Sequence, residues 1–223
     1  MNRICVVIPA FNESENIEQL TRKVLSYVDE VIVVDDGSTD DTSKKAQDAG
    51  ATVLKHLRDR GKGAALRTGF AHAVKAGYDE VITMDGDGQH DYREIPLFIN
   101  EAKKQGADII LGTRMGSVSG MPRIRLLTNI VTSFIVSILA RQRISDSQTG
   151  FRLIKKGVLE KVSLTTTNYE TESEILIKAS RKGFRITEIP IKTIYGKQPS
   201  NINVFVDTLR FIRLVLKTGL GIR

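Results

Sequence analysis

Up to Gly112, short apolar runs alternate with longer amphipathic segments. The apolar runs are rich in Val and Ile with few polar interruptions, which is typical of parallel strands that are covered on both faces. The amphipathic segments are typical of helices, and three of them are followed directly by a glycine. This alternation predicts an α/β fold with a Rossmann-like, mostly parallel central sheet flanked by helices. The predicted strands are Arg3–Ile8, Glu30–Asp35, Ala51–Lys55, Glu80–Met84 and Asp108–Gly112, and the predicted helices are Ser14–Tyr27, Asp40–Ala49, Lys62–Ala76 and Arg93–Gln105.

Beyond residue 120 the alternation is less regular. The longest predicted helix, Arg123–Ala140, is apolar around more than half of its circumference, with Arg125, Asn129 and Thr132 on one side. The last predicted helix, Asn203–Lys217, carries a basic stripe beside an apolar one. A solvated face over a packed helix and docking on a membrane surface both fit that pattern. The remaining predicted elements are the strands Phe151–Ile154 and Arg185–Ile194 and the helix Glu172–Lys182.

Length and composition exclude several classes of protein. A chain of 223 residues with 41% hydrophobic residues can bury one large core, so we expect a single domain over residues 1–223. The one cysteine, Cys5, excludes an internal disulfide and a cysteine-based zinc site, and it favours a reducing compartment such as the cytoplasm. The longest apolar stretch, Ile130–Ala140, is shorter than the about 20 residues of a membrane span, so no transmembrane helix is expected.

The net charge of +7 is distributed unevenly along the chain. From Ile109 to Ser145 there is no acidic residue but there are five arginines, whereas the acidic residues concentrate in the first hundred positions. A basic second half favours an anionic partner. A nucleic acid is not expected, because aromatic residues make up only 6% of the chain, tryptophan is absent and no RNA-binding motif occurs.

Polar clusters follow four of the predicted strands at the point where each strand ends. Because the carboxyl ends of parallel strands meet at one edge of a sheet, these clusters are expected to form one ligand site. They are Pro9–Glu13, Asp35–Thr39, Asp85–Gln89 and the pair Thr113 and Arg114.

Asp85 and Asp87 are the strongest candidates for chemistry in these clusters. They are separated by Gly86, whose missing side chain leaves room for a nucleotide against the backbone. Two carboxylates at this spacing can turn toward one Mg²⁺ or Mn²⁺ ion whose other positions are filled by phosphate oxygens and water. A turn in which these residues only satisfy backbone groups has the same sequence. Asp36 likewise suits either the base or ribose of a nucleotide, or a plain turn.

Six short motifs follow one another along the chain: Val7–Glu13, Val33–Asp40, Arg60–Gly63, Met84–His90, Gly112–Arg114 and Asp146–Arg152. Together they resemble the motifs of the family 2 glycosyltransferases of GT-A fold, and more narrowly those of the dolichyl-phosphate and polyprenyl-phosphate mannose and glucose synthases. The resemblance extends from about residue 4 to residue 213. It implies a nucleotide-diphospho-sugar donor, Mg²⁺ or Mn²⁺ as cofactor, and a polyprenyl-phosphate acceptor.

The resemblance also implies a role for each half of the chain. Residues 1–115 would bind the nucleotide sugar, and residues 116–223 would bind the acceptor. The implied nucleotide-sugar-binding residues are Pro9, Phe11, Glu13, Asp36, Gly37, Lys62, Asp85 and Gly86, and the implied metal ligands are Asp85, Asp87 and Gln89. The implied catalytic residues are Asp87, Arg114 and Asp146, and the implied acceptor-binding residues are Arg123, Arg125, Asn129, Lys197 and Ser200.

The expected reaction is an in-line displacement with inversion at the anomeric carbon of the sugar. A phosphate acceptor is largely ionised at neutral pH, so no histidine base is required. Asp146 would orient the acceptor or stabilise positive charge on the sugar, unless it only shapes its turn. Among Glu170, Glu172 and Glu174, which begin a predicted helix, at most one carboxylate is expected to face the site.

Two other enzymatic activities stay open. A family 2 transferase acting on a soluble or glycan hydroxyl would need Asp146 or Glu172 as a base. A sugar-1-phosphate nucleotidyltransferase fits less well, because its Gly-rich loop is absent at Pro9–Glu13. The implied location is cytoplasmic with peripheral contact to a membrane surface, and a homodimer or a membrane-protein partner is also compatible with the apolar helix face at Ile130–Leu139.

Overall fold

The structure, a computed structural model, describes residues 2–104, 106–116, 123–192 and 204–219 and is built around one seven-stranded sheet. The strands are β1 (Ile4–Ala10), β2 (Glu30–Asp35), β3 (Thr52–Lys55), β4 (Glu80–Thr83), β5 (Ile109–Thr113), β6 (Arg152–Lys155) and β7 (Ile186–Pro190). Their order across the sheet is β3-β2-β1-β4-β6-β5-β7. Only β6 runs antiparallel to its neighbours, β4 and β5. The prediction of a mostly parallel sheet is therefore confirmed.

Helices cover both faces of the sheet. They are α1 (Ile17–Val24), α2 (Thr42–Asp48), α3 (Lys62–Lys75), α4 (Ile95–Lys103), α5 (Arg123–Ala140), α6 (Lys156–Lys161), α7 (Glu170–Arg181) and α8 (Val204–Gly219). In β1, Val6 and Ile8 point into the core under α1, α2 and α4, while Cys5 and Val7 point into the core under α3, α5, α6 and α7. This alternation follows the period of two of a strand and explains why the run is apolar throughout.

Several element boundaries differ from the predicted ones. Helix α1 begins at Ile17 instead of Ser14, because the Ser14 backbone donates to Asp40 and accepts from Lys45, which holds the preceding residues in a loop. Strand β7 covers Ile186–Pro190 instead of Arg185–Ile194; residues 193 and 194 lie outside the described ones. The six-residue helix α6 and a 3₁₀ turn at Tyr92–Glu94 are missing from the prediction, since both are too short to show a helical period.

The helices α5 and α8 keep much of their apolar surface in solvent. Of the thirteen large apolar side chains that are exposed in the described residues, six lie on α5 and four on α8. Helix α5 buries Asn129, Ser133 and Val136 on its inner side, while six of its large apolar side chains face solvent. No described helix combines the length and the apolar character that crossing a bilayer requires.

Candidate active site at the carboxyl edge of the sheet

The loops that follow β1 and β2 are joined by hydrogen bonds. The backbone N–H of Asn12 donates to Ser38 Oγ at 2.9 Å, and that of Glu13 donates to Thr42 Oγ1 at 2.8 Å. The Thr39 backbone N–H donates back to Asn12 Oδ1 at 2.9 Å. Asn12 has a φ of 56°, a left-handed conformation that asparagine adopts more readily than most residues. Two of the four predicted polar clusters therefore form one wall of a site.

Asp85 lies at the centre of the edge and is paired with Lys62. The Lys62 Nζ atom is 2.6 Å from Asp85 Oδ1 and 2.7 Å from Glu172 Oε1, and it sits 5.6 Å from the centre of the Tyr169 ring. Burial opposes ionisation of Asp85, but the charge of Lys62 outweighs it and lowers the pKa of Asp85 to about 2. Burial likewise disfavours the ammonium of Lys62, but the two carboxylates raise its pKa. Asp85 and Lys62 are therefore both charged at neutral pH.

A glycine makes room for the Asp85 carboxylate. A Cβ atom at Gly150 would lie 2.7 Å from both carboxylate oxygens of Asp85, closer than real Cβ contacts occur. Gly150 is the glycine of the turn between α5 and β6, and its carbonyl accepts a 2.6 Å hydrogen bond from Thr83 at the end of β4. The antiparallel strand β6 thus brings the Asp146–Arg152 motif against the Asp85 motif.

Asp87, Gln89 and His90 surround Asp85 on its other side. The Gln89 backbone N–H donates to Asp87 Oδ1 at 2.9 Å. Burial and the neighbouring charge of Asp85 raise the pKa of Asp87. The Asp85 backbone N–H donates to His90 Nδ1 at 3.2 Å, which leaves the ring proton of a neutral His90 on Nε2, and the ring stacks on Phe151. His90 therefore supports the Asp85 loop.

Glu13 is a third carboxylate at this edge. A Cβ atom at Gly86 would lie 3.3 Å from Glu13 Cγ, so the two loops are in contact. Burial raises the pKa of Glu13 to about 7, and the charges of Asp87 and Asp85 add to the rise although a hydrogen bond from Asn16 opposes it. Negative charge is therefore crowded between the loops after β1 and β4.

The residues present fit a divalent cation that brings further ligands with it. Among the described residues, no three acidic, histidine or cysteine side chains converge into a complete ligand set. Asp85 and Asp87 are two like charges whose crowding a cation would relieve, as the raised pKa of Asp87 shows. Mg²⁺ is commonly held by one or two carboxylates, with water and phosphate oxygens in the other positions. The donor set suits such an ion better than a closed protein cage.

Arg114 is held by a fully buried carboxylate. Asp146 accepts hydrogen bonds from Arg114 Nε at 2.7 Å, Arg114 Nη2 at 2.8 Å, the Arg114 backbone N–H at 3.1 Å and Asn129 Nδ2 at 2.9 Å. Burial disfavours the Asp146 carboxylate, but the hydrogen bonds and charge of Arg114 outweigh this and lower its pKa. The expectation that Asp146 contacts the acceptor or the sugar is therefore corrected: both of its oxygens are occupied, and it positions Arg114.

Two of the other expectations are also changed. Asn129 is buried and donates to Asp146, and Ser133 donates to Asn129 Oδ1 at 3.0 Å. Asn129 therefore belongs to this network and not to an exposed acceptor surface.

Asp36 is buried as well. Its Oδ1 atom accepts from the Arg60 backbone N–H at 3.1 Å and pairs with His56 Nδ1 at 2.5 Å. Burial raises the pKa of Asp36 although His56 opposes the rise. Little of the Asp36 surface is therefore open to a ligand, and its contact with a nucleoside stays a prediction.

The remaining candidates divide into placed and undescribed residues. Phe11 is exposed and Pro9 is half-buried, both at the end of β1, and Gly37 has a φ of 85° beside the buried Asp36. Arg125 is half-buried in the first turns of α5. The side chain of Arg123 and the residues Lys197 and Ser200 lie outside the described part of the chain.

Two residues of the site, Arg152 and His56, received no role from the sequence. Arg152 belongs to the Asp146–Arg152 motif, and it donates to the carbonyls of Thr149, Glu172 and Ser147 and so joins the Asp146 turn to α7. No sequence signal indicated that His56 pairs with Asp36. Glu172, in the first turn of α7, was named only within its triplet and as an alternative base, and it is the carboxylate of that triplet that reaches Lys62.

Comparisons with known proteins agree with this geometry. The model of the family described as Glycosyl transferase family 2 matches residues 5–163. A UDP-N-acetylglucosamine–dolichyl-phosphate N-acetylglucosaminyltransferase of Methanococcus voltae is 32% identical over 242 residues, covering 97% of this chain and 96% of its own. A polyprenol monophosphomannose synthase of Mycolicibacterium smegmatis is 30% identical, covering 85% and 76%.

A solved structure is similar over nearly the whole chain. It is a glucosyl-3-phosphoglycerate synthase of Mycobacterium tuberculosis in complex with Mn²⁺, uridine diphosphate and phosphoglyceric acid. The TM-score is 0.74 at 22% sequence identity, and the likeness covers 99% of this chain and 78% of the other. At that identity it establishes the fold, which is the one that the sequence motifs imply.

Proposed function

The chain belongs to glycosyl transferase family 2 and is a glycosyltransferase, and from this premise we propose that it moves a hexose from a nucleotide-diphospho-sugar to a polyprenyl phosphate, with a divalent cation at Asp85 and Asp87. The observation that carries the proposal is the charge arrangement at the sheet edge. The carboxylates of Asp85 and Asp87 follow β4, and the guanidinium of Arg114, which Asp146 holds, follows β5 at the same edge of the sheet. Such a site has one place for a cation and one place for an anion.

The donor is assigned to the side of the site formed by the loops after β1, β2 and β4. Pro9, Phe11 and the surface left open by Asp36 would line the nucleoside, and Glu13 and Gly86 would lie beside the diphosphate. Asp85, Asp87 and Gln89 would hold Mg²⁺ or Mn²⁺ there. The bound cation would supply charge neutralisation on the departing diphosphate.

The acceptor is assigned to the side formed by Arg114 and α5. Two relatives whose names specify a dolichyl-phosphate or polyprenol acceptor align with 97% and 85% of this chain. A guanidinium recognises a phosphate through paired hydrogen bonds, and Asp146 fixes the orientation of the Arg114 guanidinium by accepting from its Nε and Nη2 atoms. Arg114 would orient the phosphate and reduce its repulsion from the donor diphosphate.

The reaction then needs no protein base. An oxygen of the ionised lipid phosphate attacks the anomeric carbon, the bond from that carbon to the diphosphate oxygen breaks, and the bonding electrons leave with the nucleoside diphosphate. Attack opposite the leaving group inverts the anomeric configuration. The structure supports this choice over a hydroxyl acceptor, because Asp146 is buried against Arg114 and Glu172 is paired with Lys62, so neither carboxylate is placed as a free base.

The exposed apolar faces of α5 and α8 would place the acceptor side on a lipid surface. Arg125, Arg210, Arg213 and Lys217 add positive charge to these helices, against one acidic residue, Asp207. Apolar side chains flanked by basic ones bind anionic membranes from the side. Phe134→Ser combined with Ile138→Ser should reduce co-sedimentation with phosphatidylglycerol vesicles at least fivefold. Leu97→Ser, which changes an exposed apolar residue on α4, should not, and equal losses in both proteins would refute this orientation.

A donor–acceptor screen tests the proposed function directly. UDP- and GDP-linked sugars are incubated with dolichyl or undecaprenyl phosphate and Mg²⁺ or Mn²⁺, and the organic phase is analysed for a lipid-linked sugar. One donor should yield it, Asp87→Asn should abolish it, and Asp41→Asn, an exposed aspartate without a capping hydrogen bond, should leave it unchanged. Release of nucleoside diphosphate without a lipid-linked product would refute the acceptor assignment and leave the donor assignment standing.

A further inference from the structure

The ion triad of Lys62, Asp85 and Glu172 links parts of the chain that are 110 residues apart. Lys62 is the first residue of α3, and Glu172 lies in the first turn of α7. The two distances, 2.6 Å and 2.7 Å, are nearly equal, so one ammonium group is shared between two carboxylates. The proposed reaction assigns no step to Glu172, which pairs with Lys62.

Backbone packing fixes the positions from which these side chains extend. A Cβ atom at Gly63 would lie 1.9 Å from Thr171 Oγ1, and the Ala64 backbone N–H donates to the Thr167 carbonyl at 3.0 Å. The Glu172 carbonyl accepts a 2.6 Å hydrogen bond from Arg152, which is itself buried. The start of α3 and the start of α7 are therefore in direct contact.

The positive charge of Lys62 lies beside Asp85 and disfavours the binding of a second cation there. It occupies Asp85 Oδ1, one of the four carboxylate oxygens that Asp85 and Asp87 can offer. A divalent ion approaching this pair meets a positive charge already in contact with one ligand, and Coulomb repulsion at such separations is strong in a partly buried site. An anionic diphosphate would change the balance, because it gives Lys62 another partner and gives the ion additional oxygens.

We propose that Lys62 is a built-in counter-ion that competes with the divalent cation for Asp85, and that Glu172 is the positioning residue that receives Lys62 when it leaves Asp85. The free protein then binds the cation weakly, and the cation and the nucleoside diphosphate bind with positive coupling. By reciprocity the coupling acts equally on both ligands. This inference rests on the proposed cation site at Asp85 and Asp87 and adds to it the order of events at that site.

The test measures Mn²⁺ binding to the full chain by the paramagnetic resonance signal of free Mn²⁺, with and without UDP or GDP. In the wild type, the nucleotide that binds should increase the affinity of the protein for Mn²⁺ at least tenfold. Mn²⁺ bound by the free nucleotide is subtracted in this comparison. Lys62→Met should bind Mn²⁺ without nucleotide at least tenfold more tightly than the wild type and should lose most of the coupling. Lys75→Met removes the same charge from the exposed last turn of α3 and should bind like the wild type.

Glu172 is tested by a double-mutant cycle. Glu172→Gln should weaken Mn²⁺ binding in the presence of nucleotide at least fivefold in the wild-type background, because Lys62 then keeps Asp85 as its only carboxylate partner. In the Lys62→Met background the same change should alter affinity less than twofold. Equal effects in both backgrounds would show that Glu172 acts on the ion through its charge alone, and would overturn its positioning role.

The remaining outcomes distinguish a failure of the Lys62 counter-ion role from a failure of the proposed cation site. If Lys62→Met binds Mn²⁺ no more tightly than the wild type while both bind it with nucleotide, the counter-ion role is overturned and the cation site stands. The same conclusion follows, without any variant, if the wild type binds Mn²⁺ equally well with and without nucleotide. If the wild type binds no Mn²⁺ even with UDP or GDP, the cation site itself falls, and the counter-ion role falls with it.

Discussion

Replacing Asp146 by asparagine is the change that separates a positioning carboxylate from a catalytic one. In the wild type the carboxylate is fully buried and accepts three hydrogen bonds from Arg114 and one from Asn129. Asparagine has nearly the same shape, but it loses the negative charge and turns one acceptor into a donor. The amide NH₂ group then faces the N–H groups of Arg114 or Asn129 at hydrogen-bond distance.

The size of the effect follows from the burial of this pair. Breaking a buried ion pair by removing one partner costs about 3 to 5 kcal/mol. Arg114 keeps 13% of its side-chain surface in solvent and can recover some hydration, so we expect the lower end, about 3 kcal/mol. For a chain of 223 residues each kcal/mol lowers Tm by about 2 to 4 °C. The expected fall in Tm is therefore about 6 to 12 °C.

The assay combines thermal unfolding with transfer to polyprenyl phosphate. Asp146→Asn should lower Tm by this amount and should reduce kcat/KM for the lipid acceptor at least tenfold, because Arg114 is no longer held toward the phosphate. Glu18→Gln, which breaks the exposed pair with Arg22, should change stability by less than about 0.5 kcal/mol and leave transfer unaffected. An Asp146→Asn protein that melts within about 2 °C of the wild type and transfers at the wild-type rate would refute the positioning role.

Two further predictions concern stability. Glu174 is buried and accepts hydrogen bonds from Lys178, Thr165 and Thr166, which together outweigh burial and lower its pKa to about 2. This stabilisation, about 3 kcal/mol at 1.36 kcal/mol per pKa unit, is complete above the unfolded pKa near 4.5. It is lost as the pH falls toward 2. The difference in the free energy of unfolding in urea between the wild type and Glu174→Gln should therefore shrink over that range. A difference that does not change with pH would contradict the assignment. Gly63→Ala should destabilise the protein by about 2 kcal/mol through its clash with Thr171. Gly157→Ala, whose Cβ would meet nothing within 4 Å, should stabilise α6 by up to about 1 kcal/mol. A change in stability of the same sign for both substitutions would refute the packing argument.

The central sheet was predictable because its strands β1 and β2 are nearly continuous apolar runs. Cys5 and Val7 serve one core while Val6 and Ile8 serve the other, so the sequence of β1 has no polar face to obscure it. The polar clusters that follow β1, β2, β4 and β5 were predicted to share one edge, since parallel strands end on the same side. The loops after β1, β2 and β4 contact one another, and β5 runs in the same direction as β4, which confirms that the four clusters share an edge.

The side-chain pairings at the site could not be predicted from sequence. Whether Asp146 faces a substrate or the protein depends on where the end of β5 delivers Arg114, which is 32 positions earlier in the chain. Glu172 is one of three glutamates at every second position, and only the contact between the starts of α3 and α7 selects it as the partner of Lys62. Local sequence patterns carry no information about such long-range placement, which is set by packing.

The claim on which the whole account depends is that Asp85 and Asp87 together hold a divalent cation on the donor diphosphate. Crystals soaked with Mn²⁺ and UDP or GDP test it most directly, through the anomalous scattering of manganese. The account predicts a single strong peak bridging the carboxylates of both residues and the diphosphate oxygens, and its disappearance in Asp87→Asn crystals that still bind the nucleotide. A nucleotide bound in the site with no manganese between these carboxylates would contradict it.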